Sequence, residues 1–280
     1  MEYLAKINDD MQILQKRIED YTKLRKEYLN FVSALPYEDK IENEVKSKII
    51  WICWFQGIES APEIVQCCYR QIQKLYPCYK KILITKSNLT KYINVDPLVQ
   101  RKWEAGVIPD HTYANLVRIQ LLNSYGGLWV DATVLCTAER LPKYITEYPL
   151  FVYSNWKWIS GDIRPISNWF ISACKQHPIL LAMQDCMIRY WHDKNELETY
   201  FMFHMFYQMV SEKYTKLSGA IPRISNVPPH MLQFELGNMY DTRRWMELMD
   251  MAPMHKLTHK LSDDIRLDTL NNYNHILTSF

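Results

Sequence analysis

A single carboxylate, Asp131, closes a short apolar run that follows two adjacent glycines, Gly126 and Gly127. A carboxylate at the end of a strand can bind a divalent cation that bridges diphosphate oxygens, or accept a hydrogen bond from a ribose. Aspartate also forms ordinary turns, and composition alone does not separate these interpretations. Two adjacent glycines, in a chain that has only 7, allow a tight turn between a helix and the strand.

Asn115 and Arg118 precede this carboxylate on a predicted helix and share one helix face, because they are three residues apart. An amide and a guanidinium at this spacing can bind a nucleotide, or the arginine can hold Asp131 by a salt bridge. An exposed polar helix face explains the spacing equally well.

A second group of polar residues lies near the end of the chain, where His255, Lys256, His259 and Lys260 fall within six residues. Two imidazoles and two ammonium groups can contact a pyrophosphate and its metal. The alternative is a solvated basic stretch with no ligand.

Several common catalytic motifs are absent from the sequence. The chain has no glycine-rich phosphate loop of the P-loop or dinucleotide-binding type, no zinc-protease H-E-x-x-H and no serine-hydrolase elbow. These absences argue against P-loop kinases, dinucleotide oxidoreductases, zinc proteases and serine hydrolases.

Alternating strands and helices must position these residues. Apolar runs predict strands over 48–55, 81–85 and 128–131, with helices over 62–76 and 111–124 between them. This order predicts an α/β fold with a sheet that is parallel at its centre. Because ligands bind beyond the carboxyl ends of such strands, Phe55 and Asp131 are expected on one edge. Further helices are predicted over 166–176, 179–191, 197–214 and 242–249.

The first part of the chain predicts one long helix over residues 2–33, with apolar residues at heptad spacing from Leu4 to Tyr21. The other faces carry both signs of charge, which argues against a membrane-surface helix. The helix either docks on its own domain or forms a dimer or another partner contact.

Composition restricts the remaining classes. The net charge of +2 is too weak a bias to indicate nucleic-acid binding, and the sequence has no basic stripe of the kind that a dedicated nucleic-acid-binding protein usually shows. The 7 cysteines form no C-x-x-C pair, which predicts reduced thiols in a cytosolic protein. The N-terminus does not resemble a signal peptide. The sequence contains no run of about 18 apolar residues, so no membrane span is predicted.

Taken in order, several blocks resemble the bacterial capsular polysaccharide synthesis proteins, glycosyltransferases with a D-x-D sugar-binding region that are related to a mannosyltransferase group. The opening block is IIWICWFQG at 49–57 followed by Ala61-Pro62, and the second spans Tyr113–Val134. The later blocks are ISNWF at 166–170, His177-Pro178, Tyr200-Phe201 and HKLT at 255–258. The resemblance covers residues 48–260, and the N-terminal helix lies outside it.

This resemblance implies a glycosyltransferase of the GT-A fold, with a Rossmann-like nucleotide-sugar-binding sheet flanked by helices. The implied domains are an N-terminal helix and joint over 1–47, the GT-A domain over 48–260 and a tail over 261–280. The implied reaction transfers a sugar from a nucleoside-diphosphate sugar to a hydroxyl of a growing surface glycan or lipid-linked saccharide. Manganese or magnesium would neutralise the leaving diphosphate. The expected location is the cytoplasm, near the inner face of the cell membrane.

The resemblance also implies roles for individual residues. Asp131, Asn168 and Asp162 are the candidate catalytic residues, Asn168 and Trp169 are expected near the transferred sugar and acceptor, and Asp131 and His255 are the candidate metal ligands. The expected donor-binding residues are Trp51, Phe55, Gln56, Asn115, Arg118, Gly127, Asp131, Thr133, Lys256 and Lys260.

The sequence departs from the family pattern at two places. The D-x-D motif reads Asp131-Ala132-Thr133, so a hydroxyl replaces the second carboxylate, and Ala114-Asn115 stands where many relatives carry Ser-Asp. Two alternatives to a glycan-building enzyme therefore stay open. One is a glycosyltransferase that modifies proteins, and the other is a non-catalytic binding protein of the same fold.

Overall fold

The computed structural model describes residues 2–41, 45–155 and 164–280. Its strands are β1 (Ile49–Cys53), β2 (Lys80–Ile84), β3 (Gly127–Val130), β4 (Val134–Cys136), β5 (Leu150–Ser154), β6 (Ile166–Ala173) and β7 (Met254–Lys256). Its α-helices are α1 (Glu2–Ala34), α2 (Glu63–Lys74), α3 (Pro97–Glu104), α4 (Asp110–Tyr125), α5 (Lys143–Thr146), α6 (Pro178–Asp193), α7 (Met202–Lys213), α8 (Thr215–Gly219), α9 (Val227–Phe234), α10 (Thr242–Met251), α11 (Asp263–Leu267) and α12 (Asn272–Ser279). Two 3₁₀ turns lie at Ile58–Ser60 and Leu89–Lys91.

Five strands form one mixed sheet in the order β2-β1-β3-β6-β5. The strands β2, β1 and β3 are parallel, whereas β6 is antiparallel to both β3 and β5. Strands β4 and β7 form a separate antiparallel pair. The α/β fold predicted from the sequence, with parallel strands at the centre of the sheet, is confirmed.

Helices cover both faces of the sheet, and alternate strand residues therefore enter different cores. Trp51 and Trp129 join the core that includes buried residues of α1, α3, α4, α6 and α7. Ile50, Ile52 and Leu128 join the core formed with α2, α9, α10, α12 and the β4–β7 pair. Burial on both faces explains why the central strands are almost uniformly apolar.

The two glycines allow β3 to lie tightly between its neighbours. Gly126 ends α4 with a φ of 68°, and Gly127 starts β3 with a φ of 101°, a region that favours glycine. A Cβ on Gly127 would lie 2.5 Å from the carbonyl oxygen of Ile49, and one on Gly126 would lie 3.1 Å from that of Ala173. The glycine pair therefore permits a close backbone approach on both sides of β3.

Helix α1 docks on the domain through its second half. Leu24, Tyr28 and Val32 are buried in the first core, and Tyr28 packs edge-on against Phe206 of α7 at 5.4 Å. Earlier apolar residues such as Met11 are exposed. Docking on its own domain is thus the observed arrangement, while dimerisation through the exposed half stays a prediction.

The structure corrects two predicted segments. Residues 166–176 were expected to be helical, but Ile166–Ala173 is strand β6, which is almost fully buried between β3 and β5. Burial on both faces removes the alternation that distinguishes a strand from a buried helix. Helix α7 begins at Met202, five residues later than predicted. The other long predicted helices are confirmed at α2, α4, α6 and α10.

Two composition-based expectations are also addressed by the structure. All seven cysteines are free thiols, and Cys78 is the one that is exposed. Among the residues that the structure describes, none of the helices has both the length and the apolarity needed to cross a membrane.

Replacement of Gly127 by alanine tests the close approach of β3 to β1. The added Cβ would meet a backbone oxygen, and the positive φ is strained for alanine, so the free energy of unfolding should fall by at least about 2 kcal/mol. Urea denaturation of Gly127→Ala measures this. Gly219→Ala is the matched control, because a Cβ there has nothing within 4 Å. Equal stability of the two variants would contradict the packing described here.

Candidate functional site

Asp131 lies immediately after β3, at the carboxyl edge of the sheet. Its backbone N–H donates to the carbonyl of Trp169 at 2.9 Å, and its own carbonyl accepts from the N–H of Val134 at 3.0 Å. The Asp131 Oδ1 atom accepts a hydrogen bond from Trp129 Nε1 at 2.8 Å. The side chain keeps 25% of its surface exposed. Asp131 is therefore held in one orientation while its carboxylate remains open to solvent.

Arg118 of α4 supports Asp131 from inside the protein. Its Nη2 atom lies 3.5 Å from Asp131 Oδ1, and its side chain is only 6% exposed. The guanidinium lies 4.9 Å from the ring centre of Trp129, and Nη1 donates to the carbonyl of Asn168. Burial lowers the pKa of Arg118, and the Asp131 carboxylate opposes that shift. Arg118 thus places a charged guanidinium beside Asp131 inside the protein, since arginine stays charged in proteins.

Lys256 approaches the same carboxylate from β7. The pairing of Val134 with Lys256 places its Nζ atom 3.8 Å from Asp131 Oδ2, and Nζ also donates to Thr133 Oγ1. Burial lowers the pKa of Lys256, and Asp131 is the strongest group that opposes this. The Lys256 side chain is 20% exposed. Its ammonium therefore lies between Asp131 and Thr133.

Asn115 and Asn168 form an amide pair next to Arg118. Asn168 Nδ2 donates to Asn115 Oδ1 at 3.0 Å, which joins β6 to α4. Asn168 is partly exposed, whereas Asn115 is buried. Trp169, which was expected near the transferred sugar and acceptor, points into the core that contains Ile50 and Leu128. There it stacks on Tyr153, with 4.9 Å between ring centres. Trp169 contacts Asp131 through its backbone carbonyl, which accepts a hydrogen bond from the Asp131 N–H, and its indole does not reach the site.

Three of the expected donor-binding residues, Trp51, Phe55 and Gln56, differ in their exposure to solvent. Trp51 has no exposed surface, and its indole donates to the carbonyl of Gly126 at 3.0 Å. Phe55 is buried against Trp103 at 5.1 Å between ring centres. Gln56 is exposed, and its amide donates to Asp110 Oδ2 at 3.0 Å. Of the three, Gln56 faces solvent.

An aromatic and imidazole rim surrounds this edge, and the sequence interpretation missed most of it. Trp54, which directly follows β1, lies edge-on to His259 at 5.6 Å. His111, in the first turn of α4, lies 5.1 Å from the exposed ring of Tyr200. Burial is the largest cause that lowers the pKa of both His111 and His259, and the charge of Lys260 is the second largest. The sequence predicted a strand over 48–55 that includes Trp54, whereas β1 ends at Cys53 and leaves Trp54 at the carboxyl end.

His255 does not face the site. It follows Met254 in β7 and pairs with Leu135, so its side chain points away from that of Lys256. The imidazole is fully buried, neither ring nitrogen has a hydrogen-bond partner, and burial lowers its pKa to about 4. The predicted metal ligands Asp131 and His255 are therefore on different sides of the β4–β7 pair.

Around Asp131, as elsewhere in the described ranges, no group of three or more histidine, cysteine or acidic residues could hold a metal. Asp131 is flanked by Arg118 and Lys256, and the Thr133 hydroxyl accepts from Lys256. The predicted catalytic residue Asp162 lies outside the described residues. Metal dependence stays a prediction.

A separate cavity of about 230 Å³ lies at the opposite edge of the sheet. Gly127, expected near the donor, lines it together with Lys46 and Ser172. Lys46 donates to the carbonyl of Ile145 at 2.8 Å and to Ser172 Oγ at 2.7 Å, and burial lowers its pKa to about 8. Gly127 therefore lies at the amino end of β3, whereas Asp131 follows the carboxyl end of the same strand.

Two buried histidines make stability depend on pH. Burial holds the pKa of His177 and of His255 at about 4, below the ordinary value of 6.5. Below pH 6.5 the unfolded chain gains protons that the folded chain does not. Stability should therefore fall between pH 6.5 and 4, by roughly 1.4 kcal/mol per pH unit for each histidine.

Urea unfolding at pH 7, 6 and 5 tests this with the variant His255→Leu, which removes an imidazole that has no hydrogen-bond partner. The variant should lose stability less steeply on acidification than the native chain. An unchanged slope would show that His255 is not held neutral by burial.

The model of the family described as capsular polysaccharide synthesis protein matches residues 2–276, which confirms the resemblance and extends it over α1. No curated protein matches the chain. A solved structure titled PaToxG glycosyltransferase is 13% identical, with a TM-score of 0.41, and the similarity covers 97% of this chain and 96% of that chain.

Proposed function

The chain belongs to the capsular polysaccharide synthesis protein family, and we propose that it is a glycosyltransferase using a nucleoside-diphosphate sugar. The observation that carries this proposal is the fixed, accessible carboxylate of Asp131 between two cations at the carboxyl edge of a parallel-centred sheet. That edge is where α/β sheets bind nucleotides. The acceptor we propose is a hydroxyl of a growing surface glycan or a lipid-linked saccharide.

The charges at this edge suit the departure of a diphosphate. In glycosyl transfer, the bond between the anomeric carbon and a phosphate oxygen breaks, and the diphosphate leaves with the electron pair. The acceptor oxygen forms a new bond to the anomeric carbon, and its proton passes to the departing diphosphate or to water. Fixed cations stabilise the charge that develops on the leaving oxygen. Lys256 is partly buried beside Asp131, and Lys260 is exposed nearby, so both can serve this role.

The remaining groups would bind and orient the donor. The exposed face of Asp131 can accept hydrogen bonds from a ribose or sugar hydroxyl, while Arg118 keeps the carboxylate in place. Asn168 can donate to the transferred sugar or the acceptor from its partly exposed amide. The rim formed by Trp54, His111 and Tyr200 offers flat surfaces for a base or sugar ring.

Replacing Asp131 by asparagine tests the proposed donor contact. The amide keeps the shape of the side chain but loses the charge between Arg118 and Lys256, so hydrolysis or transfer from the accepted nucleotide sugar should fall by ~100-fold or more. Turnover is measured as release of nucleoside diphosphate, and circular dichroism checks folding. Asp250→Asn, at an exposed position on α10, is the control. Native-like turnover in Asp131→Asn would reject this role.

The acceptor requires its own measurement. Incubation with a labelled nucleotide sugar and either purified glycan or cell protein separates the two classes of product. Label in polysaccharide or lipid-linked saccharide supports the proposed acceptor. Label found only in protein would overturn it and favour a protein-modifying enzyme.

A further inference from the structure

We infer that the ammonium group of Lys256 takes the place of the divalent cation and binds the diphosphate of the donor directly. This inference rests on the proposed function, because it concerns the same donor site. It assigns the neutralising charge to a side chain of this protein, so that donor binding needs no manganese or magnesium.

The first support is the position of Lys256 relative to the motif at 131–133. In a D-x-D motif, the first and third residues would be the two carboxylates beside a cation. Here those residues are Asp131 and Thr133, and the Nζ atom of Lys256 contacts both. The ammonium of Lys256 therefore lies where a D-x-D motif would hold its cation, beside the first and third residues of the motif.

The second support is that the position of Lys256 is set by the backbone. Lys256 pairs with Val134, and the N–H of the next residue, Leu257, donates to the carbonyl of Thr133 at 2.8 Å. The Lys256 side chain keeps 20% of its surface exposed, so it is anchored but not fully enclosed. A preorganised cation loses less conformational entropy on binding than a free surface lysine.

The third support is the surrounding charge. Arg118 already lies 3.5 Å from Asp131 Oδ1, and Lys256 lies 3.8 Å from Oδ2. A divalent cation bound to the same carboxylate would be next to two positive groups. The imidazole that the sequence suggested as a second ligand, His255, faces away. This set of charges favours an anionic ligand such as a diphosphate over a metal ion.

The chemistry assigned to Lys256 is charge-assisted hydrogen bonding. Nζ has three N–H groups, and it donates to Thr133 Oγ1 and, at 3.3 Å, to the carbonyl of Leu257. The remaining N–H group can donate to a phosphate oxygen while the lysine keeps its protons. When the sugar–phosphate bond breaks, the electron pair stays on the diphosphate, and the nearby ammonium stabilises it.

Binding of nucleoside diphosphates to the native protein tests the inference without any variant. Calorimetric titrations with uridine, guanosine, adenosine and thymidine diphosphates are run in excess chelator and in manganese. The nucleotide that binds should do so with dissociation constants that agree within about threefold in the two conditions.

Variants of Lys256 then test the residue itself. In chelator, Lys256→Ala should weaken binding of the same diphosphate by ~10-fold or more, and Lys256→Arg should retain part of the affinity because it keeps the charge. Lys143→Ala is the matched control, since Lys143 lies on α5 with 87% of its side chain exposed. Thermal unfolding verifies that each variant is folded.

A double variant tests the exchange of lysine for metal directly. Thr133→Asp combined with Lys256→Ala restores two carboxylates and removes the ammonium. It should bind Mn²⁺, as measured by electron paramagnetic resonance without nucleotide, and its diphosphate affinity should rise at least tenfold on adding manganese. Native protein should show neither effect.

The possible outcomes separate the inference from the function on which it rests. If native protein binds a diphosphate only with manganese, the lysine inference is wrong and the glycosyltransferase proposal stands. An unchanged affinity in a folded Lys256→Ala variant also overturns the inference. If no nucleoside diphosphate binds and no nucleotide sugar is consumed in either condition, the proposed function itself fails.

Discussion

The close backbone approach of β3 to its two neighbours is the constraint on which the site depends. Gly127 has no Cβ, so its Cα can lie against the carbonyl of Ile49, and Gly126 permits the same closeness to Ala173. This packing fixes the register of β3 between β1 and β6. With that register set, Asp131 emerges at the carboxyl edge, where its N–H is already bonded to the carbonyl of Trp169.

Two cations from separate parts of the chain then converge on this one carboxylate. Arg118 reaches it from α4 and is buried, while Lys256 reaches it from β7 and is partly exposed. Because Arg118 and Lys256 differ in exposure, we propose that they have different roles. A buried arginine that also contacts Trp129 and Asn168 orients the carboxylate. A partly exposed ammonium remains able to meet an anionic ligand, and this makes the pair suited to a diphosphate.

The sequence predicted the site best where the relevant spacing is local. Asn115 and Arg118 share a helix face, and Asp131 follows a short strand, so their grouping required only helix and strand geometry. The faces of the central strands were not predictable, because residues buried on both sides show no alternation. The family resemblance assigned Trp51 and Trp169 to the site, but both are buried in core clusters. Which of His255 and Lys256 faces Asp131 depends on the pairing of β7 with β4, a contact between distant segments that no local pattern encodes.

The position of a bound nucleoside diphosphate would show whether Lys256 binds the phosphates of the donor. A crystal structure of the protein with the diphosphate that binds in solution would locate the phosphates relative to the two edges of the sheet. If Lys256 binds the diphosphate, phosphate oxygens should lie within hydrogen-bond distance of Lys256 Nζ, with the ribose or base near Asp131 and Gln56. Phosphates bound instead at the opposite edge, in the cavity beside Lys46 and Ser172, would contradict the binding of the diphosphate by Lys256.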